Sequence, residues 1–199
     1  MGWRCALLAA SLLTGCALGG TPAPRSAIHD LDGVPVAAFN STVLRHIEVR
    51  GPSWLNGPAM AYRLRYQASS ERRVYALNRW AAPPPELVQQ ALGRGLGSAR
   101  GQPGACSLKV GLEEFIQEFD APEQSRVVLQ AQLTLLGPDG LQLARRREAL
   151  AAPAAPDPAG GVAGYRQVVA ELAGRVDGWL GSLEQAGQPD LDLKARCGP

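Results

Sequence analysis

The sequence predicts an α+β fold, a mainly antiparallel sheet with two amphipathic helices packed on one face. Short segments alternate apolar and polar residues as strands do, and two longer segments repeat apolar residues at spacings of three and four as helices do. They follow each other in the order strand, hairpin, helix, three strands, helix. The 199 residues, 46% hydrophobic and 19% charged, suit one globular domain. A formal net charge of +2 is too small to predict a nucleic-acid groove.

The first strands lie in the first third of the chain. Residues 28–31 can form an edge strand, and residues 43–50 alternate apolar and polar side chains well enough to predict a longer one. Residues 62–66 alternate tyrosine and leucine with arginine, and residues 73–77 form a second β-like run after the polar connection 68–71. The last two segments together predict a hairpin.

Two segments carry the helical spacing. Three prolines and Glu86 stand where a helix N-terminus favours rigid residues and negative charge, and an apolar stripe follows, so residues 85–98 predict a helix. Residues 165–183 repeat apolar residues at spacings of three and four over more than five turns. They predict the second and longer helix.

Between the helices the chain predicts a three-stranded antiparallel meander. Residues 108–116 and 127–135 follow period two, and a Gly-Pro-Asp-Gly turn leads to a third strand at residues 141–143. Residues 151–161 (AAPAAPDPAGG) are rich in alanine, proline and glycine and predict a loop.

The N-terminus resembles a secretory signal of the bacterial lipoprotein type. The apolar run Ala6–Leu13 is too short to span a bilayer core of about 30 Å as a helix. Leu-Thr-Gly-Cys follows it and resembles a lipobox, which makes Cys16 the predicted lipid-bearing residue; the alternative is an ordinary signal peptide with an incidental cysteine. We therefore expect a signal peptide at 1–15, a lipidated N-terminus and flexible tether at 16–27, and a single domain at 28–199.

Two cysteines remain once the signal peptide is removed and Cys16 is acylated, namely Cys106 and Cys197. Thiols in an oxidising export compartment usually pair, so we predict a disulfide that fixes the C-terminal tail to a strand. A metal site is the alternative, but neither cysteine stands at ligand spacing from His29 or His46. We predict no metal and no cofactor.

The titratable residues do not predict an enzyme. His29 lies near two aspartates but lacks a nucleophile motif, and the glycines at 93–97 stand at the wrong end of a helix for a phosphate loop. The carboxylates Glu113, Glu114 and Glu118 alternate faces of a strand and lack partners at general-acid spacing. The run Arg145–Arg147 predicts a solvated strand end.

The pair Trp54-Leu55 stands in a loop bounded by glycine and proline (GPSWLNGP). A large apolar pair in a loop either folds back onto the core or contacts a partner. We expect Trp54 to pack into the core, because loop tryptophans generally bury most of their area. Partner binding through Trp54 and Leu55 is the alternative.

Four segments and the lipobox resemble the PqiC-type ABC transport auxiliary lipoproteins. The most specific parts are the Trp-Leu-Asn-Gly-Pro loop before Tyr62-Arg63, and Arg79-Trp80 before the proline-started helix. The four segments are HIEVRGPSWLNGPAMAYRLRY, YALNRWAAPPPELVQQAL, FIQEFDAPEQSRVVLQAQLTLL and GYRQVVAELAGRVDGWLGSL.

The resemblance implies a lipid-anchored periplasmic accessory subunit with no catalytic residues. Its partners would be an MCE-domain protein and, through it, an ABC permease and ATPase that move phospholipids or other hydrophobic molecules between the inner and outer membranes. Ala17 after the lipidated cysteine favours the outer membrane over the inner one. A homo-oligomer is left open. The alternative function is a periplasmic lipoprotein that itself carries a hydrophobic ligand in an apolar pocket.

Overall fold

The computed structural model describes residues 25–97, 104–185 and 192–198, and it places seven strands in one mixed sheet. The strands are β1 (Ala27–His29), β2 (Leu44–Arg50), β3 (Ala59–Leu64), β4 (Arg73–Trp80), β5 (Cys106–Ala121), β6 (Gln124–Leu136) and β7 (Gln142–Ala154). The helices are α1 (Pro84–Gly97), α2 (Pro158–Gln185) and the short α3 (Leu193–Cys197). Among these described helices, none is long and apolar enough to cross a membrane.

The sheet has the strand order β1-β4-β3-β5-β6-β7. Strand β2 also pairs with β5, along a different part of that long strand from β3. Strand β5 is parallel to β2 and β3, and β1 is parallel to β4, while the other three pairings are antiparallel. The prediction of a mainly antiparallel sheet was therefore wrong. Alternating residues mark a strand but not its direction, and α1 carries the chain back so that β5 runs the same way as β2 and β3.

Most predicted elements occur where the sequence places them, but the prediction of a loop at 151–161 was wrong in part. Strand β7 continues to Ala154, and α2 begins at Pro158. Pro153 lies within β7 and pairs with Arg126 of β6. Among the described strands β7 has β6 as its one neighbour, and an edge position tolerates a proline because no second ladder requires its N–H.

The core lies between the two long helices and one face of the sheet, which we call the inner face. Apolar side chains of α1 and α2 form one buried cluster with alternate residues of the strands. Trp80, Phe115 and Tyr165 stack at its centre, with ring centroids 4.3 to 5.8 Å apart. Trp80 and Trp179 are both buried.

A disulfide joins Cys106, at the start of β5, to Cys197, at the end of α3, with their Cα atoms 5.0 Å apart. Both residues are fully buried, and the N–H of Ala105 donates to the carbonyl of Cys197 at 2.9 Å. A Cβ on Gly104 would collide with the carbonyl oxygens of Val43 and Cys197, so only glycine fits this crossing. The C-terminal helix is therefore held against the end of the sheet.

Replacing both Cys106 and Cys197 by serine should lower the free energy of unfolding by about 2 to 5 kcal/mol, because the bond closes a loop of 91 residues in the unfolded chain. Urea denaturation of the variant and of the oxidised protein measures the difference. The oxidised protein with added reductant is the control, since two buried sulfurs should resist mild reduction. An unchanged midpoint, or free thiols at both positions in non-reducing peptide mapping, would contradict the prediction.

Candidate partner-binding surface

Trp54 and Leu55 lie in a 3₁₀ helix (Ser53–Leu55) between β2 and β3, and their side chains point in different directions. Trp54 is 57% exposed and Leu55 only 3%. The expectation that Trp54 packs into the core was therefore wrong. A 3₁₀ helix has three residues per turn, so neighbouring side chains diverge by about 120°, and here Leu55 faces inward.

Arg72, in the connection between β3 and β4, lies over the ring of the exposed tryptophan. Its guanidinium carbon lies 5.8 Å from the centroid of the Trp54 ring, within the range of a cation–π contact. Arg72 Nη2 also donates to both carboxylate oxygens of Glu114 at 2.9 Å. The ring is thus linked to a charged residue of the central strand β5.

A network of charged side chains extends from Glu114 across the sheet face opposite the helices, which we call the outer face. Arg63 of β3 donates to Glu114 at 3.1 Å and to Glu118 at 2.7 Å. Glu118 also accepts from Arg65 at 3.2 Å and from Arg126 of β6 at 3.0 Å. The network comprises Arg63, Arg65, Arg72, Arg126, Glu114, Glu118 and Asp120, which pairs with Arg65 and Arg126.

The central charges of the network are buried. Burial of an isolated ion would be costly, so these charges depend on their partners. The side chain of Glu118 is 5% exposed and that of Arg63 is 16%. Burial alone lowers the pKa of Arg63, but its hydrogen bonds to Glu118 and Glu114 outweigh that effect and leave the pKa above its ordinary value. The arginine partners of Glu114 and Glu118 come from elements distant in sequence, so no local pattern indicates them.

A groove of about 350 Å³ lies on the outer face beside Trp54. Trp54 and Pro52 line one side, Gly111 of β5 lies at its floor, and Gln132 of β6 lines the other side. Gln132 is fixed because its amide donates to the carbonyl of Arg146 at 2.8 Å. The groove is open to solvent and mostly apolar, which suits contact with a side chain of another molecule.

The sequence matches a family model described as the ABC-type transport auxiliary lipoprotein component over residues 40–176, which is well over half of the chain. The chain belongs to this family. The resemblance to PqiC-type auxiliary lipoproteins is thereby confirmed. As an ABC-type transport auxiliary lipoprotein, the protein is an envelope component anchored to a membrane and associated with an ABC transport system.

Solved structures share the fold of this auxiliary lipoprotein. A crystal structure of a Xanthomonas campestris protein of the DUF330 family matches with a TM-score of 0.63 and 17% identity, over 83% of this chain and 97% of the other. A second crystal structure, of an uncharacterized protein, matches with a TM-score of 0.59 and 19% identity, over 77% and 97% of the two chains. No curated protein matches the sequence significantly.

The other candidate catalytic and metal-ligating residues of the auxiliary lipoprotein lie apart from the groove or have structural roles. His29 Nε2 and Asn78 Oδ1 are 2.8 Å apart and connect β1 to β4. His46 is exposed on β2. Residues 25–97, 104–185 and 192–198 contain no cluster of three or more possible metal ligands. Cys16, the predicted lipid site, lies outside the described residues.

The sequence predicted a solvated strand end for the run Arg145–Arg147, and this was wrong. The run lies within β7. Arg146 points to the inner face and pairs with the buried Glu148 at 2.6 Å. Arg147 points to the outer face and lies 3.4 Å from Glu113. The run therefore divides between the two faces of the sheet.

We expect Glu118→Gln to lower the free energy of unfolding by about 3 kcal/mol, because three arginines lose the charge that compensates them at a buried site. The matched control is Glu113→Gln, on the same strand. Glu113 is exposed, and among the described residues Arg147 is its one ion-pair partner, so its change should cost less than about 1 kcal/mol. Urea denaturation of both variants tests the difference, and equal small losses would contradict a stabilising network.

Proposed function

We propose that the protein is a lipid-anchored periplasmic subunit of an MCE-type ABC transport system. In this proposal it docks on the MCE-domain protein, and the system moves phospholipids or other hydrophobic molecules between the inner and outer membranes. Nucleotide hydrolysis belongs to another chain. The family match supports the association with an ABC system, and the exposed Trp54 on a rigid support is the single observation that carries the docking role.

The anchor of the proposal is Cys16, whose lipid would hold the domain at the periplasmic face of the outer membrane. Residues 1–15 are removed as signal peptide, residues from Cys16 up to β1 form the tether, and the domain begins with β1 at Ala27. One acyl chain binds a membrane only marginally, whereas the several chains of a bacterial lipoprotein anchor durably.

Docking, rather than ligand carriage, agrees better with the described geometry. A carrier of lipid needs an apolar cavity that encloses most of the ligand. At the centre of the described core, between α2 and the sheet, the stacked rings of Trp80, Phe115 and Tyr165 occupy the space. The groove beside Trp54 is open and lies on the opposite face, so it favours a contact between proteins.

Trp54→Ala should weaken binding to the MCE-domain protein by about 30-fold, corresponding to about 2 kcal/mol, because interface energy concentrates in exposed aromatic residues of this kind. The melting temperature should change little, since the side chain is 57% exposed. Titration of the two purified proteins measures the affinity. The neighbouring Leu55→Ala is the control and should instead cost about 2 to 5 kcal/mol of stability by leaving a cavity. Unchanged affinity of Trp54→Ala would reject the docking role of the tryptophan.

Cys16→Ser should abolish lipid attachment, because a hydroxyl cannot replace the sulfur that accepts the diacylglyceryl group. Labelled fatty acid fed to cells is expected to appear in the unmodified protein and not in the variant, which stays unprocessed or soluble. Fractionation of the membranes then tests the assignment to the outer membrane. Label in the variant would contradict lipidation at this residue.

A further inference from the structure

The groove beside Trp54 lies within a positively charged part of the outer face. Two rows of residues cross the sheet in register there. The first row is Glu48, Lys109, Thr134 and Arg145, and the second is Arg50, Gly111, Gln132 and Arg147. The rows contain four cations and one carboxylate, and a second carboxylate, Glu113, lines the groove. Glu48 pairs with Arg50, and Glu113 at the groove pairs with Arg147.

Two cations of the first row are unpaired. In the part of the chain that the structure describes, Lys109 and Arg145 have no carboxylate within ion-pair distance, and both are exposed. They flank Thr134, one row away from the floor of the groove. A bound segment that crosses the sheet at the groove would therefore pass close to two free positive charges.

The floor of the groove is open because residue 111 is a glycine. A Cβ added to Gly111 would have Gln132 as its neighbour, at 3.7 Å, which is an ordinary contact distance. Steric conflict therefore does not require glycine at this position, unlike at Gly104. A side chain here would fill the space between Trp54 and Gln132 without displacing the strand.

We propose that the groove binds an acidic segment of a protein partner through one large apolar or aromatic side chain. The side chain lies over Gly111 against the Trp54 ring, and flanking carboxylates of the same segment lie near Lys109 and Arg145. This inference rests on the proposed function, which makes the MCE-domain protein the partner. Charge complementarity of this kind increases the association rate and the specificity of a small contact.

The groove is better suited to a protein segment than to a membrane. Arg72 lies over the Trp54 ring and holds it as one wall of a concave site, whereas a tryptophan that inserts into a bilayer must project from a convex surface. A volume of about 350 Å³ is near the lower end of the range for small-molecule sites, roughly 300 to 1,000 Å³. That space accommodates one large side chain.

Gly111→Leu should fill the groove and weaken binding to the purified MCE-domain protein by at least about 10-fold, with an unchanged melting temperature. The matched control is Gly178→Leu, which adds the same side chain to the exposed face of α2, where a Cβ meets nothing within 4 Å. The control should bind like the unmodified protein. Isothermal titration of the full-length, detergent-solubilised proteins measures all three affinities.

Charge reversal provides a second and independent variant set. Lys109→Glu and Arg145→Glu, made singly, should each weaken binding by about 3-fold to 10-fold at 0.05 M salt and much less at 0.5 M, because salt screens exposed charges. Arg166→Glu, on the exposed side of α2, makes the same change in net charge away from the groove and should have little effect. Equal losses for all three reversals would overturn the assignment of an acidic segment to this face.

The outcomes separate the inference from the proposed function. If the unmodified protein does not bind the MCE-domain protein, the proposed function is wrong and the inference with it. If it binds but Gly111→Leu binds equally well, only the groove assignment is wrong.

Binding of phosphatidylglycerol vesicles that depends on Gly111 would overturn the assignment in favour of a membrane. Self-association that Gly111→Leu abolishes, measured by sedimentation, would overturn it in favour of a second copy of the chain.

Discussion

Two carboxylates on the central strand constrain the rest of the sheet. Glu114 and Glu118 lie on β5 with side chains only 14% and 5% exposed, and a buried carboxylate without cations would cost several kcal/mol. Their arginine partners come from β3, from β6 and from the β3–β4 connection. A shift of β3 or β6 by one residue would move its arginine to the other face, so the charges select one register of the mixed sheet.

The same constraint places an ordered arginine against the exposed aromatic residue of the outer face. Arg72 cannot move freely, because Glu114 accepts two hydrogen bonds from it, and the Trp54 ring is in turn held by Arg72. A side chain that is already ordered loses less conformational entropy when a partner binds. In the proposed docking role the network would therefore serve recognition as well as stability, because a tryptophan without this support would make a weaker contact.

The elements could be predicted from the sequence because hydrophobic periodicity is a local property, but their arrangement could not. The apolar spacing of residues 165–183 places them in α2, and the alternation of residues 127–135 places them in β6. The pairing of Arg63 with Glu118 depends on a parallel contact between strands 55 residues apart, and no local pattern contains it. Trp54 was misjudged for the same reason, since a loop of this composition does not reveal which of two adjacent apolar residues faces inward.

A shallow groove is sufficient for function if the domain is tethered as proposed. A random-coil linker of about ten residues has a root-mean-square span of about 20 Å, so a lipid on Cys16 would confine the domain to a thin layer at the membrane surface. Confinement raises the local concentration that a partner at the same membrane experiences, and modest intrinsic affinity then gives high occupancy. The two faces of the sheet agree with this proposal. The inner face packs against the helices and stabilises the domain, while the outer face leaves Trp54 exposed beside an open groove, and a tether would supply the rest of the apparent affinity.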